Sequence, residues 1–186
     1  MKRLPRSALL TMLADELKAR GSWSGETHLQ KAAFLLQEAL GVPLEYDFTL
    51  YKHGPFSFDL RDDIHALRAD GLLALEPRPQ PYGPTIVTTP RTALLETRFP
   101  KTRARYASKV ATVADLVGDK GVVSLERVAT AFLLMRRHPD FLDDQVALEL
   151  RRVKPHITED GAAEAVSIAR EKILPLLDQR DEASAS

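Results

Sequence analysis

Between Thr27 and Gly41 the chain reads THLQKAAFLLQEALG, and no face of a helix drawn through it is continuously polar. Leu29, Ala33, Leu36 and Leu40 form one stripe, while Ala32, Phe34, Leu35 and Ala39 carry apolar surface around the other sides. A helix of this kind must be enclosed by other elements, because water cannot wet it on any side at low cost. The chain has 186 residues, enough to supply that enclosure and to bury roughly 70% of its unfolded surface without a disulfide or metal. Thr27 with Gln30 matches a capping box at the helix start, and Gly41 and Pro43 match a stop.

The flanking segments predict what encloses it. Ser7 is placed to cap a first helix with Leu9, Leu10, Leu13 and Leu17 inward and Gly21 at its end. Leu44, Tyr46, Phe48 and Leu50 alternate with Glu45, Asp47 and Thr49, which predicts an extended segment over 44–51. His53-Gly54-Pro55-Phe56 then predicts a turn, with proline at the first position of a third helix bearing Leu60, Ile64 and Leu67 and closing at Gly71. Leu72–Leu75 and Thr85–Thr89 predict a hairpin across a tip holding Pro77, Pro79, Pro81 and Pro84. Helices follow over 101–117, from a Ser124 cap, from Asp143 or Asp144, and from a Thr158 cap, the last kinked by Pro175. The expected fold is mainly α: a winged-helix-like region over 1–98, a helical region over 99–179 packed on it, and a frayed tail over 180–186.

Composition excludes several chemistries. There is no cysteine, hence no thiol nucleophile, thiolate metal site or disulfide. Basic and acidic residues both number 26, so no whole-molecule field draws the chain to nucleic acid or membrane. No segment reads as a secretory signal or a bilayer span, so the expected compartment is the cytoplasm. The five histidines lack HExxH spacing, and no Walker loop, GxGxxG or paired-carboxylate motif occurs. Gly21-Ser22-Trp23-Ser24-Gly25 fails as a nucleophile elbow because its centre is Trp23. The expectation is therefore a protein with no catalytic residues, no metal and no cofactor. An enzyme built around His53 would need the fold to bring an acid or a second histidine beside it.

Two charge asymmetries stand out. Residues 56–70 hold Asp59, Asp62, Asp63 and Asp70 against Arg61 and Arg68, a local net of −2. A third helix so charged would meet DNA phosphates with repulsion. Residues 91–109 hold Arg91, Arg98, Lys101, Arg103, Arg105 and Lys109 against Glu96, a local net of +5. Arg98, Lys101, Arg103, Arg105 and Lys109 are thus the residues through which a DNA-binding regulator would contact phosphate.

Leu29-Gln30-Lys31, Phe34-Leu35-Leu36-Gln37, Phe48, Tyr51-Lys52-His53-Gly54-Pro55-Phe56-Ser57, Leu60, and Leu67 to Gly71-Leu72-Leu73 together resemble the bacterial YwgA-like proteins and the related Panacea (SocA-like) modules. Arg152-Val153-Lys154-Pro155 and the helix from Thr158 resemble the later part of YwgA-like proteins. The sequence departs from the usual Tyr-Gly-Pro turn in that Lys52 and His53 separate Tyr51 from Gly54. The resemblance implies antitoxin- or adaptor-type work in a toxin or phage-defence setting, neutralising or delivering a partner protein. Lys31, His53, Asp59, Asp62 and Asp63 are the expected partner-binding residues. The alternative is a winged-helix transcriptional regulator.

Overall fold

The computed structural model describes residues 1–22, 24–80, 83–178 and 180. Trp23, Pro81 at the proline-rich tip and all of the expected tail except Arg180 lie outside the described residues. The elements run α1 (Arg3–Ala19), α2 (Glu26–Glu38), β1 (Thr49–Tyr51), β2 (Gly54–Phe56), α3 (Phe58–Ala69), β3 (Leu73–Glu76), β4 (Thr85–Thr88), α4 (Ala93–Arg98), α5 (Pro100–Val117), α6 (Val122–Arg137), α7 (Asp143–Val153) and α8 (Glu159–Ile168). The molecule is mainly helical, with two separate antiparallel pairs, β1–β2 and β3–β4.

The all-round apolar helix is the centre, as its composition requires. Every residue from His28 to Leu36 is buried, and α1, α3, α5, α6 and β2 pack around it. Phe34 sits edge-on to Phe48 at 5.3 Å and to Phe132 of α6 at 5.9 Å, tying the extended segment to the second half of the chain. Each fully buried Leu or Phe contributes roughly 1.5–3 kcal/mol from removal of apolar surface from water. Buried side chains of α1, α2, α3, α5, α6, α7 and α8 form one continuous cluster, so both halves share a core. Leu9, Leu10, Leu13 and Leu17 of α1 and Leu60, Ile64 and Leu67 of α3 are buried, where their spacing places them.

Several local expectations are corrected. Helix α1 begins at Arg3, and the Ser7 hydroxyl bonds back to the Arg3 carbonyl at 3.0 Å instead of capping. Helix α2 begins at Glu26 with Gly25 before it and no side-chain cap, because Gln30 is engaged elsewhere. The alternation over 44–51 holds in burial, but only Thr49–Tyr51 joins a ladder. Glu45 takes φ +63°, and the Gln37 amide occupies both backbone groups of Tyr46 at 2.8 and 2.9 Å, leaving no free edge to pair. Pro55 belongs to strand β2 rather than to the start of α3, which is capped by the Ser57 hydroxyl accepting from Leu60 N–H. Helix α6 starts after Gly121, so Ser124 lies inside it. A further short helix, α4, precedes α5.

The remaining signals hold. Gly21, Gly41 and Gly71 take positive φ where α1, α2 and α3 end. The β3–β4 register pairs Leu73 with Thr88 and Glu76 with Thr85. Thr158 caps α8 by accepting from Gly161 N–H at 3.2 Å. Past α8 the helix widens to a π turn over Ala169–Ile173 and tightens to 3-10 over Leu174–Leu177. Pro175 has no N–H for the carbonyl one turn back, and the change of winding accommodates that loss. None of the described helices is long and apolar enough to cross a membrane.

Candidate functional site

The β1–β2 turn is where the distinctive segments of the sequence meet. Gly54 has φ +83°, and a Cβ there would lie 2.6 Å from Thr130 Oγ1 on α6. Only glycine permits both the backbone conformation and that approach. The Gln30 amide holds the far end of the turn, donating to Ser57 C=O at 2.9 Å and accepting from Ser57 N–H at 3.0 Å. From the other side Lys154, buried just past α7, donates to the carbonyls of Tyr51 (3.1 Å) and Lys52 and to Glu126 Oε1 at 2.9 Å. The Leu-Gln-Lys, His-Gly-Pro and Val-Lys-Pro segments, drawn from between Leu29 and Pro155, thus enclose one small volume.

That volume holds an unbalanced set of charges. Glu126 is flanked by Lys154 and, at 3.3 Å, by His53 Nδ1. Burial alone would raise the Glu126 carboxyl, but the Lys154 hydrogen bond and charge, with His53, hold it below its ordinary value. Lys31 is 1% exposed, one of the largest fully buried side chains. Its ammonium has no hydrogen-bond or ion-pair partner within reach among the described residues, although Glu126 and Glu26 act on it from a distance. Burial, reinforced by the Lys154 charge, pulls its pKa down to about 8.

Lys31 lines a cavity of about 230 Å³ with Glu26, Thr27, Gln30, Tyr51, His53 and Phe56. Of its lining residues, Tyr51 and Phe56 form a triangle with neighbouring Phe58, ring centroids 5.1–5.5 Å apart. The Arg61 guanidinium lies 5.1 Å from the Phe58 ring. Tyr51 is 54% and Phe58 44% exposed, so this aromatic surface faces solvent.

The expected site residues divide. Lys31 and His53 come together, Lys31 as the recessed cation of the cavity rather than as a surface residue. The fold does bring an acid, Glu126, to His53. Asp63 is already engaged within the fold. It is half-buried, ion-paired to Arg6 at 2.8 Å, and accepts from the Tyr46 hydroxyl at 2.7 Å. It lies three residues after Leu60 and beside Ile64, on the flank of α3 that turns inward. Asp62 and Asp59 are exposed; Asp62 pairs with Arg61, and Asp70 pairs with Arg3. Among the basic residues, Arg103 turns toward Glu96 and the Ala8 carbonyl, and Lys109 donates to the Leu40 carbonyl at 2.7 Å. Arg98, Lys101 and Arg105 remain exposed.

The sequence reading missed Glu126, Lys154 and the aromatic triangle. Glu126 is a lone acid on the buried side of α6, and the conspicuous density of aromatics over 51–58 was the available signal. A roomier cleft of about 440 Å³ lies between α2, α3 and the β3–β4 hairpin, beside His65 and Arg68. Its buried histidine, His28, is already bonded to the Lys120 carbonyl at 2.9 Å. Among the described residues no three His, Asp or Glu side chains converge as a metal-binding group. No protein-family model matches the chain, and none of the curated proteins matches it.

Proposed function

We propose that this chain is a non-enzymatic protein-binding module, antitoxin- or adaptor-like, that docks its partner on the face formed by Tyr51, Phe56, Phe58, His53 and the Lys31 cavity. The observation that carries the reading is the solvent-facing aromatic triangle around a recessed, unpaired cation. Aromatic anchors beside a small desolvated pocket are how protein interfaces concentrate binding energy. Glu126 and Lys154 support a holding role, since their bonds fix the turn that presents His53. The resemblance to YwgA-like and Panacea proteins supports a toxin or defence component as the partner, in the cytoplasm of a bacterium.

The succession α1, α2, α3 and the β3–β4 hairpin supports reading residues 1–98 as winged-helix-like, with the helices of 99–179 packed on it. In that reading α3 would be the element offered to DNA, and its exposed Asp59, Asp62 and Asp70 oppose such use. Arg98, Lys101 and Arg105 favour a second reading, a DNA-binding regulator contacting phosphate through α4 and α5.

The test is capture of the tagged protein from its native host, with Phe58→Ala alongside. A partner held by the wild type and lost from the variant is expected, together with growth arrest when that partner is expressed alone and rescue when both are expressed. Capture of nothing, or of the same protein by both forms, would overturn the proposal. Gel shifts at two salt concentrations address the second reading, which requires binding that falls steeply as salt rises.

A further inference from the structure

The Lys31 side chain is buried at the wall of its cavity, and among the described residues its ammonium meets no hydrogen-bond or ion-pair partner. That arrangement costs the charged form part of its solvation. Glu126 does not meet the need of Lys31. One of its oxygens is bonded to Lys154 at 2.9 Å and the other lies 3.3 Å from His53. Lys31, Lys154 and Glu126 together carry one net positive charge, which Glu26 at the rim offsets only from a distance. Glu26 stands half-exposed at the rim of the same cavity, and His53, 57% exposed, forms part of its wall. Two rings of the aromatic triangle, Tyr51 and Phe56, belong to the same wall.

We propose that this cavity receives a carboxylate carried by a partner protein, seated against the Lys31 ammonium with its apolar stem along Tyr51 and Phe56. The inference rests on the docking face proposed above. Size favours a protein-borne group. A cavity of about 230 Å³ is below the roughly 300–1,000 Å³ that small-molecule sites occupy and suits one inserted side chain or chain end. The exposed rings around it supply the surrounding contact area that a lone metabolite would not need. The ligand would give the Lys31 ammonium a charged hydrogen-bond acceptor at close range, which neither Glu26 nor Glu126 provides.

Selection of random dodecapeptides on the immobilised full-length protein tests this, followed by anisotropy titrations of the winners. Selected peptides are expected to share a Glu, Asp or free C-terminus beside an apolar residue. Converting that carboxylate to its amide should weaken binding at least about tenfold, as expected for losing a charge-assisted hydrogen bond. Lys31→Met, checked for native circular dichroism, should bind acid and amide peptides alike, whereas Asp59→Asn should still discriminate. Equal binding of acid and amide by the wild type, unchanged discrimination in Lys31→Met, or an empty selection would overturn the proposal. Displacement of peptides by micromolar N-acetylglutamate would overturn its protein-borne part in favour of a free carboxylate ligand. A partner that is captured and lost in Phe58→Ala would leave the docking face standing in each of these cases.

Discussion

The cluster of Lys31, Glu126 and Lys154 and the outer side of α3 both set acids against bases, to opposite effect. On α3 the carboxylates of Asp62 and Asp70 meet Arg61 and Arg3 at 3.2 and 3.0 Å, with the side chains largely in water. Such pairs are worth about 0–1 kcal/mol, since solvent screens them and both side chains lose freedom. Inside, Lys154 and Glu126 are less than 10% exposed and each bond has a fixed direction. There a single removal leaves buried groups unsatisfied. Position relative to water, and not the count of acids or bases, decides which charges organise the protein.

The largest test of that contrast is Lys154→Met, which strips Glu126 and the Tyr51 and Lys52 carbonyls of their shared donor. A loss of about 3–5 kcal/mol in urea unfolding is expected, and a loss below about 1 kcal/mol would break the comparison. Next comes Gly54→Ala, with positive φ and a Cβ driven onto Thr130. A cost of about 2 kcal/mol or more is expected, and the added Thr130→Ala change should restore only the steric part.

Lys31→Met should go the other way and stabilise the fold by about 1–3 kcal/mol at pH 7. Its sign has a pH signature. The folded pKa of about 8 lies below the ordinary 10.5, so between those values the unfolded chain binds more protons and wild-type stability rises with pH. The advantage of Lys31→Met in thermal unfolding should therefore shrink from pH 7 to pH 10; a constant advantage would mean that Lys31 is buried without electrostatic penalty. The smallest effect belongs to Asp62→Asn, expected within about 0.5 kcal/mol of wild type, and a larger one would give the α3 surface more weight than its exposure allows.

Most of the scaffold was legible because it depends on local pattern. The all-round apolar stretch over 27–40 announced the central helix, and the spacing of Leu60, Ile64 and Leu67 announced the inner side of α3. Caps were less legible. Ser7, Thr27 and Ser124 sit at plausible starts, but Ser7 bonds inside its own helix and Gln30 is drawn away by Ser57, a competition that sequence spacing cannot express. The candidate site was half legible. Lys31 and His53 were singled out, whereas Glu126 and Lys154 join them only because α6 and the end of α7 fold against the turn, and contacts between residues 28–103 positions apart leave no periodic trace. The acidic character of residues 56–70 was read correctly as composition, yet the third dimension supplies Arg3 and Arg6 from α1 and cancels much of it.

The anchor at Lys154 has a further consequence. The loop that carries His53 is fastened by a side chain encoded a hundred residues downstream, so the shape of the front face is inherited from the back of the molecule. A shortened chain ending near residue 98 would retain every ring of the triangle and still lose the peg on which it hangs. What displaces Lys154 displaces the Tyr51 and Lys52 carbonyls it holds, far though it lies from them along the chain.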